Sequence, residues 1–114
     1  MVVVLKERNA GAVTILECAG GQTPREGTDA LNDRVQAILA RGRILLLLDL
    51  SQVSNMNSHD ISALVRSSVS AGKHKGKLKL LKLSPRVRQV LGITRLLNVL
   101  ETFDDEAAAI TSFK

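Results

Sequence analysis

Ser58, His59 and Asp60 stand side by side in the stretch NMNSHDIS, residues 55–62. They are the side-chain types of a hydrolytic relay, in which a hydroxyl attacks, an imidazole takes its proton and a carboxylate orients the imidazole. Consecutive residues on a helix point about 100° apart, so a contiguous trio cannot converge on one proton path. A relay is rejected.

Other chemistries fail on spacing. His59 and His74 lie at opposite ends of one expected helix, with no H-x-x-x-H or C-x-x-C pattern, so no metal is expected. SAGKHKGK, residues 70–77, sets glycine beside lysine but lacks G-x-x-x-x-G-K-[ST], and it falls at a helix end whose dipole repels phosphate. No cofactor is expected.

What remains is Ser58 at the junction of a polar loop and a helix. Serine there can cap free backbone N–H groups, and Asn55 and Asn57 are equally good caps. A phosphate added to Ser58 would sit at the positive end of a helix while changing the surface shown to a partner.

The elements that position this junction follow from periodicity. VVVL (2–5) and AVTILEC (12–18) are β-rich, with turn chemistry in KERNAG between them, and read as a hairpin. AGGQTPREGT is a loop, leading to a helix from about Asp29 to Ala40, with Leu31, Val35, Ile38 and Leu39 as its stripe. Thr28 or Asp29 caps it, and Gly42 ends it.

RILLLLDLS (43–51) is apolar almost throughout, as a central strand covered on both faces requires. A second helix runs from Ser58 or His59 to about Ala71, with Ile61, Leu64, Val65 and Val69 inward and Gly72 as terminator. GKLKLLKLS (76–84) alternates lysine with leucine and reads as a more exposed strand. SPRVRQVLGI begins with a serine cap and a proline suited to the first helical position. A strand near Val99 to Phe103 and a helix over DDEAAAITSF close the order β-β-α-β-α-β-α-β-α.

The expected fold is α/β: a single domain over residues 1–114, with a mixed, mostly parallel sheet packed with about four helices. Apolar residues make up 45 % of the chain, with only Phe103 and Phe113 aromatic, so an aliphatic core is expected. Cys18 has no partner cysteine, no charged-then-apolar segment with a cleavage site stands at the start of the sequence given, and the longest apolar run, ILLLL, is far short of the roughly 20 residues that cross a bilayer. A cytoplasmic protein without membrane insertion is expected.

The net charge is +5, with cations crowded from Lys73 to Arg88. That field suits an acidic partner or a nucleic acid, but there are no interleaved aromatics and no helix-turn-helix pattern, so no nucleic acid is expected. The segment reads as a solvated basic edge.

DLSQVS, NMNS and SPRVRQVLGITRLLNVLETFDDEAAA, in this order, resemble the STAS domain of bacterial anti-sigma factor antagonists, and the resemblance covers nearly the whole chain. It implies a small non-enzymatic fold that binds a serine-kinase anti-sigma factor. Binding in that family is switched off by phosphorylation of a serine at the start of the second helix and restored by a serine phosphatase.

By the motif, that serine is Ser58, and Thr23, Asn55, Met56, Asn57, His59 and Asp60 are the implied partner contacts. Asn57 replaces the family's aspartate, His59 and Asp60 its Ser-Gly pair, and Gly20–Thr23 its G-E-L-D. Arg95 stands where the third helix usually ends in glycine. The departures also fit a non-switching scaffold, or an accessory subunit of a stressosome-like or lipid-transport system. A flavodoxin-like receiver is disfavoured because VVVLKERN lacks paired acids.

Overall fold

The structure, a computed structural model, describes residues 2–20 and 30–114. Its elements are β1 (Val2–Ala10), β2 (Val13–Gly20), α1 (Ala30–Ala40), β3 (Leu45–Gln52), α2 (Ser58–Lys73), β4 (Lys77–Leu81), α3 (Pro85–Ile93), β5 (Thr102–Phe103) and α4 (Glu106–Ser112). The strands form one sheet in the order β1-β2-β3-β4-β5, antiparallel only between β1 and β2. The α/β order and the central β3 agree with the sequence reading.

Side chains alternate across the sheet, so each strand feeds two cores. Leu16, Cys18, Leu46, Leu48, Leu50, Leu78 and Leu80 join the larger core with residues of α1, α2 and α3. Val13, Ile15, Leu47 and Leu81 face the other way, onto Ala109 of α4 and the partly buried Phe103, Ile110 and Phe113. Leu46, Leu47 and Leu48 are all fully buried, which is why β3 reads as a continuous apolar run.

The hairpin is longer than the composition implies. KERN continues β1, the turn is only Gly11 and Ala12, and Glu7 pairs with Arg34 and Arg41 of α1. Arg8 binds Glu17 on β2 and also Glu106 of α4, and these partners raise its pKa, Glu106 foremost. Polar residues at an edge strand look like a turn until their partners are known.

In α1, Leu31, Val35, Ile38 and Leu39 are buried as the stripe predicts, and Gly42 takes a left-handed φ of 84° beyond the helix end. The expected cap at Thr28 or Asp29 lies outside the described residues. The buried side of α2 includes Ala63, Leu64, Ser67, Ser70 and Ala71, while Val65 and Val69 are exposed. Small residues win that face because it packs on α1, where Gln36 donates to Ser70 at 2.6 Å.

Gly72 does not terminate α2, which runs on to Lys73. The essential glycine is Gly76, where a Cβ would come within 2.1 Å of the Ile44 carbonyl oxygen. Lys77 N–H donates to that same oxygen, so β4 begins by passing directly over Ile44.

The 76–84 strand is a correction. β4 is buried from Leu78 onward, including Lys79, which is only 3 % exposed. Its ammonium donates to the Ser112 carbonyl oxygen and hydroxyl, lies 3.5 Å from Glu101, and sits 4.6 Å from the Phe113 ring centre. Alternating lysine predicts exposure only when no helix end supplies acceptors.

The last strand is also shorter than expected. Leu96–Asn98 form a 3-10 turn after a left-handed Arg95 (φ 63°), and only Thr102 and Phe103 pair with β4.

Candidate functional site: the start of the second helix

β3 ends at Gln52, and the loop that follows is held by two buried side chains, Val53 and Met56. Val53 N–H also donates to the Leu50 carbonyl oxygen, turning the chain at the strand end. Ser84 Oγ and Arg86 Nε, at the start of α3, reach the Ser54 carbonyl oxygen and Asn55 Oδ1, each at 3.4 Å. The loop therefore has a packed underside and a polar flank.

Asn57 caps α2. Its Oδ1 accepts from Asp60 N–H at 2.9 Å, while Asp60 Oδ2 accepts from Asn57 N–H at 3.1 Å. This reciprocal box satisfies two of the groups a helix start leaves open. Ile61 N–H bonds to the Asn57 carbonyl oxygen, so Ser58 is the first residue of the helix proper.

Ser58 is exposed and its hydroxyl makes no hydrogen bond among the described residues. It lies where unpaired N–H groups and the helix dipole favour negative charge. The arrangement offers an accessible hydroxyl on a rigid base.

Six of the seven sequence-identified residues, 55–60, are consecutive in the chain, and the structure places their side chains differently. Asn55, Asn57, Ser58 and His59 are exposed, whereas Met56 and Asp60, each 3 % exposed, are held inward and fix the surface from below. Thr23 lies outside the described residues. The Asp60 carboxylate is committed to the helix cap, so the trio Ser58, His59 and Asp60 forms no relay.

Sequence reasoning missed the contribution of α3. Ser84 was legible as a cap, which it is, accepting from Val87 N–H at 3.2 Å, but its reach to Ser54 comes from tertiary packing. Among the described residues no group of three or more His, Cys, Asp or Glu is placed to hold a metal ion. None of their helices is long and apolar enough to cross a membrane.

A mixed sheet with a rigid loop and an exposed helix start at the carboxyl end of its central strand defines a surface-presenting α/β module. The chain belongs to the STAS domain family, whose model matches residues 26–109. Comparison with curated protein sequences finds no match.

Solved structures give the same fold. An anti-sigma factor antagonist from Mycobacterium paratuberculosis matches with a TM-score of 0.80 at 20 % identity, covering 99 % of this chain and 94 % of that one. The Bacillus cell fate determinant SpoIIAA in its phosphorylated form matches with a TM-score of 0.72 at 14 % identity, covering 96 % and 98 %. An anti-sigma-factor antagonist domain protein from Planctomyces limnophilus matches with a TM-score of 0.68 at 22 % identity, covering 94 % and 97 %.

Proposed function

We propose that this protein is an anti-sigma factor antagonist that binds a serine-kinase anti-sigma factor in the cytoplasm and is released when the kinase phosphorylates Ser58. The observation that carries the reading is the exposed Ser58 hydroxyl at the first position of α2, on a base fixed by Met56 and the Asn57–Asp60 box. Asn55, Asn57 and His59 form the contact surface around it. The γ-phosphoryl group of ATP passes to Ser58 Oγ, ADP leaves, and a base of the kinase takes the hydroxyl proton.

The added phosphate is tolerated by the helix but not by a partner shaped for a neutral hydroxyl, because an unpaired charge at an interface is costly to desolvate. A serine phosphatase then resets the surface. Calorimetry against the anti-sigma kinase of the same organism tests this reading. Ser58→Ala should keep the affinity of the wild type, and Ser58→Asp should weaken it at least tenfold; equal affinities for all three overturn the switch.

A second reading, a constitutive scaffold or an accessory subunit of a larger assembly, is favoured by Asp60. Its buried carboxylate lies in the same helical turn as Ser58 and opposes a phosphate there. This reading requires that the protein isolated from its host carry no phosphate on the peptide containing Ser58, which mass spectrometry resolves.

A further inference from the structure

From Ile61 to Leu100 the chain carries nine lysines and arginines and no carboxylate, although the whole molecule is only +5. Among these cations Lys73, Lys75 and Lys77 are exposed and make no ion pair among the described residues. They cluster where α2 ends and β4 begins, about four helical turns, or roughly 22 Å, from Ser58. This group of three lysines therefore lies at the opposite end of α2 from the proposed switch, whereas Arg86 stands beside it.

At the same place the sheet has an open edge. Lys77 N–H donates to Ile44 on the β3 side, whereas Leu80 and Lys82 N–H donate to Glu101 and Phe103 on the β5 side. By the two-residue alternation of a strand, Leu78 points its N–H and carbonyl toward β5. But β5 pairs only with Leu80 and Leu81, so it does not reach Leu78.

That gap is a notch of about 310 Å³. Ser68 and Gly72 of α2 form one wall, Val99 and Glu101 the other, and Lys77 and Leu78 lie along its edge. Val99 is 74 % exposed, an apolar side chain with nothing over it among the described residues. Among the described residues Glu101 is the one carboxylate lining the notch, and Lys79 faces it at 3.5 Å.

We infer that this notch is a docking site for an extended acidic peptide segment of a partner protein. The segment would pair its backbone with the free edge at Leu78, lay a small apolar side chain on Val99, and set its carboxylates against Lys73, Lys75 and Lys77. Strand addition supplies main-chain hydrogen bonds, and the lysines select the sign of the partner's charge. A second copy of this chain is a poor occupant, since it would bring the same cations to the same edge.

The probe is a fluorescein-labelled hexapeptide of alternating valine and glutamate, followed by anisotropy against the intact protein. Binding should weaken at least tenfold in Lys73→Glu/Lys77→Glu, and by a similar factor when the peptide amide facing Leu78 is N-methylated. Added salt should weaken it, and Ser58→Asp should leave it unchanged, which separates this site from the switch surface. Circular dichroism checks that the charge-reversed variant is folded, and Lys73→Gln/Lys77→Gln should give an intermediate loss.

Equal binding of a valine-lysine hexapeptide, or full affinity of the N-methylated peptide, would overturn the inference. So would retention of the protein by phosphatidylglycerol vesicles or by duplex DNA without binding to the acidic peptide, which would assign the cations to a lipid surface or a nucleic acid.

Discussion

Asn57 and Asp60 each hold the other's backbone N–H, and this reciprocal pair closes the first turn of α2. The neutral Asn57 stands where the family usually has an aspartate, yet the cap is intact because an amide oxygen accepts a hydrogen bond as a carboxylate does. Removing it with Asn57→Ala should cost about 1 kcal/mol in urea denaturation, while Asn57→Asp should stay within about 0.5 kcal/mol of wild type. If Asn57→Ala left stability unchanged, the box would not be what orders this turn.

Lys79 fastens the carboxyl end of α4 to the sheet. Lys79→Met keeps most of the volume but removes the bonds from the ammonium to the half-buried Ser112 carbonyl oxygen and hydroxyl, and losing hydrogen bonds to a charged group costs about 1.5–3 kcal/mol. Hydrogen exchange should show faster exchange confined to α4 and the adjoining β5. Uniformly faster exchange would instead mean that Lys79 supports the whole sheet.

Arg95 holds a left-handed conformation with its side chain exposed, at φ 63°. Arg95→Gly removes that strain without removing a packed side chain, and the gain exceeds the added freedom of the unfolded chain by about 0.5–1 kcal/mol. Thermal unfolding should shift upward by a few degrees. A downward shift would show that the guanidinium is anchored.

Cys18 is buried between the sheet and its helices, and burial first, then the charge of Asp49, pushes its thiol up to about 12 from an ordinary value of 9.0. The unfolded chain ionises at the lower value, so stability is unaffected below about pH 9 and falls as pH climbs toward about 12. Cys18→Ala should lessen that alkaline loss, measured as urea midpoints across the pH range. The folded thiol should also resist alkylation at neutral pH until the protein is unfolded.

Much of this was legible in the sequence because local patterns and tertiary packing agree. The run around Leu46–Leu48, the stripe of α1 and the Ser84-Pro85 cap are each determined by neighbours a few residues away. Legibility failed where a distant partner changes the meaning of a residue. Arg8 reads as turn until Glu17 and Glu106 pair with it, Val69 reads as core until small residues claim the α1 contact, and Lys79 reads as surface until Ser112 arrives from 33 positions away. At the site, NMNS located the helix start, but its division into exposed Ser58 and inward-facing Met56 and Asp60 needed the fold.

The inward lysine of β4 has a further consequence, for folding rather than for stability. Side chains on a strand alternate with a period of two, so a one-residue slip of β4 against β3 would exchange every face. Lys79 would then enter the aliphatic core now occupied by Leu78 and Leu80, where α1, α2 and α3 close over them. An ammonium without acceptors cannot be accommodated there, so a slipped sheet is penalised at its centre. A strand whose leucines alone would pair nearly as well in a neighbouring alignment is thus confined to one register by a single charge.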